Sequence, residues 1–179
     1  MVKPNEKGSE YERLIGRKLS KWLSGGRRDD LFSRNVLSGG QFTASAARGK
    51  ARGNSGDVIS AHPMVYWFTR RYTIECKHYR DIDILGYLLG TPSAPLQTFI
   101  AKLRAGAKID KKHWLLIVRQ NRKADIVLYS PAAIPVCQPQ HQFFAGTVYM
   151  IQLATLLSLD PAFFLERVSP PRVKLEKEQ

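Results

Sequence analysis

The sequence predicts an α/β fold, and three observations predict it. Residues 9–23 repeat their apolar side chains at helical spacing, and the run Tyr72 to Lys77 alternates as a strand does. Trp114 to Val118 is apolar at every position and is followed, across the turn-prone Asn121-Arg122-Lys123, by a second apolar run, Ile126 to Tyr129. A chain of 179 residues with 44% hydrophobic content has enough apolar material for one domain with a real core.

The first helix carries Tyr11, Leu14, Ile15, Leu19 and Trp22 on one stripe, and Gly25-Gly26 supplies its stop signal. Ser9 with Glu12 three residues on reads as a capping box. Glu12 also borders the apolar stripe, so two roles are open to it: a cap, or an acid leaning over the edge of a sheet. Leu31 to Leu37 follows as a strand bearing Arg34, which is placed either to clamp a phosphate or to pair with Asp29 or Asp30.

Residues 38–55 are rich in Gly, Ser and Ala, with Arg48, Lys50 and Arg52 set between small residues. Such a loop lets the backbone lie close to phosphates while its cations neutralise them, so DNA contact is favoured over a plain linker. It leads into Asp57-Val58-Ile59. A return through Ala61-His62-Pro63 would set Asp57 opposite Glu75.

The chemistry concentrates there. Alternate residues of a strand share a face, so Thr73, Glu75 and Lys77 project together while Tyr72, Ile74 and Cys76 pack inward. On an exposed strand a lone Glu-x-Lys is an ordinary surface ion pair of small value. With Asp57 beside it, the set gives two carboxylates for a hard cation and an ammonium next to them. Mg2+ is usually held by one or two carboxylates plus substrate phosphate, and in that setting Lys77 would act on the water or on developing phosphate charge. The reaction that uses all of these groups is phosphodiester hydrolysis, with no covalent nucleophile.

Charge agrees. Lys and Arg number 28 against 15 acids, a formal net charge of +13, which attracts a polyanion and makes its binding salt-dependent. Only Cys76 and Cys137 are present, and His62, His78, His113 and His141 are scattered without ligand spacing, which argues against a disulfide framework and a zinc centre. No apolar run approaches a membrane span, and no secretory signal precedes the first helix, so an intracellular protein is expected.

Downstream, a helix is expected over Ala94–Lys108, with Leu96, Phe99, Ile100 and Leu103 on its apolar face. A strand follows near Val148–Leu153, and short helices lie within Leu156–Arg167, one opened by Asp160-Pro161. The organisation expected is a single domain over 1–168 with a loose charged tail over 169–179.

Taken in order, Lys7-Gly8-Ser9-Glu10-Tyr11-Glu12-Arg13, Arg34, Gly56-Asp57 and Ile74-Glu75-Cys76-Lys77 resemble the PD-(D/E)XK nuclease superfamily. They are most similar to archaeal-type Holliday junction resolvases and their phage-encoded relatives. The resemblance implies a restriction-endonuclease-like mixed β-sheet flanked by helices, and usually a homodimer with two active sites. It implies a metal site at Asp57 and Glu75 with the Cys76 carbonyl as a further ligand, Lys77 as the catalytic lysine and Glu12 as the helix glutamate. For Gln97, on the helix after the Glu-x-Lys strand, it implies contact with substrate or the attacking water, against the plainer reading of an exposed polar position. Two departures stand out: Gly56 occupies the place of the family's usual proline, and the segment between Arg34 and Asp57 is long.

The expected function is therefore a metal-dependent endodeoxyribonuclease using Mg2+, with Mn2+ able to substitute, acting first on branched DNA such as four-way junctions. A restriction- or packaging-type nuclease on duplex DNA and a non-cleaving structure-specific DNA binder are the alternatives.

Overall fold

The structure, a computed structural model, describes residues 4–36, 56–91, 93–130, 133–134, 143–145 and 148–165. Helix α1 (Pro4–Leu23) leads to a two-stranded antiparallel pair, β1 (Phe32–Arg34) and β2 (Val58–Ser60). A 3-10 turn (Pro63–Val65) and a short helix α2 (Tyr66–Arg71) return the chain to β3 (Tyr72–Tyr79). Helices α3 (Ile84–Leu88) and α4 (Ala94–Ile109) then cross to β4 (His113–Gln120), which hairpins into β5 (Ile126–Tyr129). Strands β6 (Phe143–Ala145) and β7 (Val148–Gln152) and helices α5 (Leu153–Ser158) and α6 (Ala162–Leu165) finish the described chain.

Among the described residues, five strands form the main sheet in the order β3-β4-β5-β7-β6. β3 and β4 are parallel, a pairing that needs a long crossover, here α3 and α4; the remaining neighbours are antiparallel. The result is a mixed sheet with helices on both faces. On one face Tyr11, Ile15 and Leu19 of α1 share a core with Ile74, Cys76, Leu115 and Ile117. On the other, Leu96, Ile100 and Leu103 of α4 pack on Trp114, Leu116 and Val118. β4 is thus buried on both sides, which is why its sequence is apolar without alternation.

Several expectations shift in detail. α1 begins at Pro4, five residues earlier than the capping box at Ser9 placed it, so Ser9 and Glu12 lie inside the helix and Glu12 is no cap. Proline at an early helical position is itself a start signal. Of the strand expected over Leu31–Leu37, the described residues 31–36 form strand at Phe32–Arg34, and Leu37 lies outside the described residues. The return after β2 is no simple turn. Tyr66-Trp67-Phe68-Thr69-Arg70-Arg71 has the aromatic composition of a strand, yet it is helical because Phe68 is held among the rings of Trp22, Phe32 and Tyr72, at centroid distances of 6.0, 5.9 and 4.8 Å. Tertiary packing outweighs local preference there. The loop over 38–55, Cys137 and the tail over 169–179 lie outside the described residues.

Candidate active site

β3 is an edge strand of the main sheet, and the head of β2 lies against its free edge. The Asp57 N–H donates to the Ile74 carbonyl at 2.7 Å, and Asp57 Oδ2 accepts the Cys76 N–H at 2.9 Å. Asp57 is thereby pinned, main chain and side chain, two residues apart along β3. Gly56 makes the approach possible: its φ is 110°, and a Cβ added there would sit 2.6 Å from the Ile74 oxygen. A proline, with φ near −65°, has no place in that conformation. Glycine at this position is a requirement of the close approach, not merely a permissive turn residue. Asn35, just past β1, holds the same corner by donating its N–H to the Asp57 carbonyl at 2.8 Å and its Nδ2 to the Gly56 carbonyl at 2.9 Å.

Glu75 and Lys77 project from β3 with the expected alternation, while Cys76 turns into the core. Lys77 Nζ lies 2.5 Å from Glu75 Oε1 and 3.4 Å from Asp57 Oδ2. Its ammonium also stands 5.8 Å from the centroid of the Phe99 ring on α4. From the other side, α1 brings Glu12 to the edge of the cluster, where it accepts a hydrogen bond from Arg34 Nε. Arg34 therefore pairs with neither Asp29 nor Asp30; the latter is taken by Arg28 at 2.7 Å.

The chain matches, over residues 3–153, the family described as "Phage putative PDDEXK endonuclease". It belongs to that family. Among solved structures it is similar to a 1.6 Å structure of Archaeoglobus fulgidus Hjc, a Holliday junction resolvase from an archaeal hyperthermophile, at 15% identity over 87% of this chain and 93% of that one, with a TM-score of 0.37. So distant a likeness carries nothing about substrate. No curated protein matches the chain.

For a PDDEXK endonuclease the donor set is chemically coherent. Among the described residues no group of three or more His, Cys, Asp or Glu side chains is arranged to hold an ion; the donors that Asp57 and Glu75 offer are two carboxylates, with main chain beside them. Main chain is available. In a strand the N–H and C=O of one residue lie on the same edge. Because the Cys76 N–H meets Asp57, the Cys76 carbonyl faces that edge too. Two carboxylates and a carbonyl, with the rest left to water and phosphate, suit Mg2+ better than a fully enclosing cage would.

Electrostatics point the same way. Burial pushes the Glu75 carboxyl above its ordinary value and the charge of Asp57 pushes it further, against the pull of Lys77. Glu12 is raised by burial as well; the Arg34 hydrogen bond works against this and Asp57 adds to it. Three acids are thus crowded around one ammonium and one guanidinium, a surplus of negative charge that a divalent cation would relieve. For Lys77, burial favours the neutral amine, but Glu75 and Asp57 outweigh it and the pKa rises. The group is a firm ammonium in this arrangement, suited to donating hydrogen bonds and offsetting charge, not to taking a proton from water. Burial drives the Cys76 thiol well up, so it stays protonated and acts as core.

A pH prediction follows from Glu75. A carboxyl whose folded pKa exceeds its unfolded value binds its proton more tightly in the fold. Its stabilising contribution is full below the ordinary value of 4.5 and is lost as pH rises through the raised one. In metal-free buffer, the melting temperature of wild type relative to Glu75→Gln is expected to fall as pH rises from 4.5 toward neutrality. A difference that stays flat, or grows in favour of wild type, would contradict the crowding of acids at this site.

Gln97 is exposed on α4, although its neighbour Phe99 reaches Lys77. Arg48, Lys50 and Arg52 fall outside the described residues. Asn35 and Phe99 are the residues that sequence reasoning missed as site builders. Phe99 was visible only as one member of an apolar stripe, and Asn35 carried no periodic signal at all. Among the described residues no helix is long and apolar enough to cross a membrane.

Proposed function

We propose that this PDDEXK-family protein is a metal-dependent endodeoxyribonuclease that hydrolyses backbone phosphodiesters of branched DNA, four-way junctions first, with Mg2+ as its ion and Mn2+ as a substitute. The observation that carries the reading is the meeting of Asp57 and Glu75 on the Lys77 ammonium, at 3.4 and 2.5 Å. Asp57, Glu75 and the Cys76 carbonyl would hold the ion. Bound there, the ion supplies Lewis-acid polarisation of the phosphate and a water of lowered pKa.

The protein's own groups do the rest. The two main-chain and side-chain bonds to β3 hold the Asp57 carboxylate in one orientation, so little reorganisation accompanies reaction. Lys77 donates hydrogen bonds toward the reacting oxygens and offsets the negative charge that grows on them. Arg34, released from Glu12 or shared with it, is placed to grip a flanking phosphate. The net charge of +13 supplies affinity that does not depend on base sequence. Preference for branched DNA is supported by the motif set of Glu12, Arg34, Asp57, Glu75 and Lys77, whose order resembles that of junction resolvases. A two-fold homodimer would present two such centres to a four-way junction of matching pseudo-symmetry.

The test is incubation of end-labelled four-way junction and linear duplex with the protein in Mg2+, Mn2+, Ca2+ or EDTA. Paired nicks placed symmetrically across the junction, in Mg2+ and Mn2+ alone, are expected. Equal cutting of linear duplex would redirect the assignment to a duplex nuclease. Tight binding with no cutting in Mg2+ or Mn2+ would replace it with a structure-specific binder.

A further inference from the structure

Away from the acidic cluster the same helix carries a second chemical surface. Lys18, Lys21 and Trp22 of α1 stand at spacings of three and four, which places them on one helical face. Lys18 lies six residues beyond Glu12, about 1.7 turns further along the helix and on a different side of it. These three residues form one wall of a groove of about 580 Å3. The end of β4 and the β4–β5 turn supply Arg119, Lys123 and Asp125, and Leu153, Ala154 and Leu157 of α5 make an apolar floor. Four cations therefore line the groove against one carboxylate.

That carboxylate organises the cations. The Asp125 side chain is 7% exposed and receives Arg119 through Nε at 2.6 Å and Nη2 at 2.9 Å, and Lys18 Nζ at 2.8 Å. Burial pushes Asp125 up, but its bonds to Arg119 and Lys18 outweigh that and hold it below the usual carboxylate value. The Arg119 guanidinium also lies over the Tyr11 ring, 4.8 Å from its centroid. An ammonium has three N–H donors and a guanidinium five, so both side chains keep donors beyond those given to Asp125. Their fixed geometry reduces the entropy lost when an anion binds. Lys21 and Lys123 are exposed at the rim, and Trp22 is anchored by its Nε1–H bond to the Leu159 carbonyl at 2.8 Å.

We infer that this groove, built by Lys18, Lys21, Arg119 and Lys123 around Asp125, is a second DNA-backbone site that holds a duplex arm away from the scissile bond. The inference rests on the nuclease reading for its choice of polyanion. Charge complementarity selects the occupant: cations held on Asp125 and exposed lysines at the rim suit a run of phosphates, and an apolar floor with one indole accommodates sugar faces.

The test uses the full-length protein and a fluorescent four-way junction in Ca2+, with affinity followed across a salt series. Lys21→Gln/Lys123→Gln removes two rim cations that lie outside the proposed catalytic machinery. Lys108→Gln/Lys111→Gln removes the same charge at the opposite end of β4. The groove pair is expected to weaken binding about tenfold or more at low salt and to flatten the slope of log affinity against log salt by about 1.8, two contacts at about 0.9 each. Lys21→Arg/Lys123→Arg should restore both, and the groove pair should cleave at the wild-type rate once DNA is saturating. An unchanged slope, or equal loss in the control pair, would overturn the groove. Selective loss in a protein that never cuts would instead sink the nuclease reading and leave the groove standing.

Discussion

Lys77→Ala is expected to lower the single-turnover rate of junction cleavage in Mg2+ by about 10²–10³-fold, the usual scale for removing one fixed group that meets charge in the transition state. Lys77 is the only side chain that touches both Asp57 and Glu75 among the described contacts, at 3.4 and 2.5 Å. It is also a firm ammonium, so its loss removes charge compensation and not a base. DNA affinity should change by no more than a few-fold, because one charge of a net +13 is removed from a widely spread set. The rate and affinity must therefore separate. A variant that cuts within twofold of wild type would remove Lys77 from the chemistry, and one that lost affinity in step with rate would make it a binding residue.

The second large effect is at a residue with no side chain. Gly56→Ala would put a Cβ 2.6 Å from the Ile74 oxygen and 3.0 Å from the Ile74 nitrogen, at a φ of 110°. Backbone in that region costs a non-glycine residue about 1–3 kcal/mol, and both clashing atoms are main chain of a buried strand that cannot swing aside. For a domain of this size that corresponds to a fall of about 2–12 °C in melting temperature. The strain is relieved most readily by lifting the Asp57 corner off β3, which breaks the bonds to Ile74 and Cys76. Cleavage is thus expected to fall at least tenfold even below the melting transition. An alanine variant with wild-type melting and wild-type rate would mean that the close approach at this corner does not set the position of Asp57.

Much of this was legible in the chain, and for physical reasons that differ by element. α4, β4 and β5 are legible because their signals are local: a stripe at helical spacing, an unbroken apolar run, and a polar turn between two strands. The alternation of Glu75, Cys76 and Lys77 followed from strand geometry alone. α2 was not legible, since Tyr66 to Arg71 is helical only through the rings packed around Phe68. The edge strand β6 and the short helix α3 are likewise hard to see in the chain; for α3 the one signal is Asp83, whose carboxylate accepts the Gly86 N–H at 2.7 Å.

At the site, the limit was pairing across distance in the chain. Asp57 with Glu75 is expected from a chain return near Ala61-His62-Pro63, whereas Glu12 with Arg34 joins a helix to a strand 22 residues later, and no local pattern announces it. Asn35 shows the same limit more sharply. It is an unremarkable residue in sequence, and only the folded corner reveals that it donates to two successive carbonyls.

The central claim is that Asp57 and Glu75 together bind one divalent ion per chain. Titration of the metal-free protein with Mn2+, read by the electron paramagnetic resonance signal of the free ion, tests it without reference to DNA. One site per chain is expected for wild type and for Lys77→Ala, and none of comparable affinity for Asp57→Asn or Glu75→Gln. Equal Mn2+ uptake by wild type and both carboxylate variants would place the ion elsewhere and contradict the account.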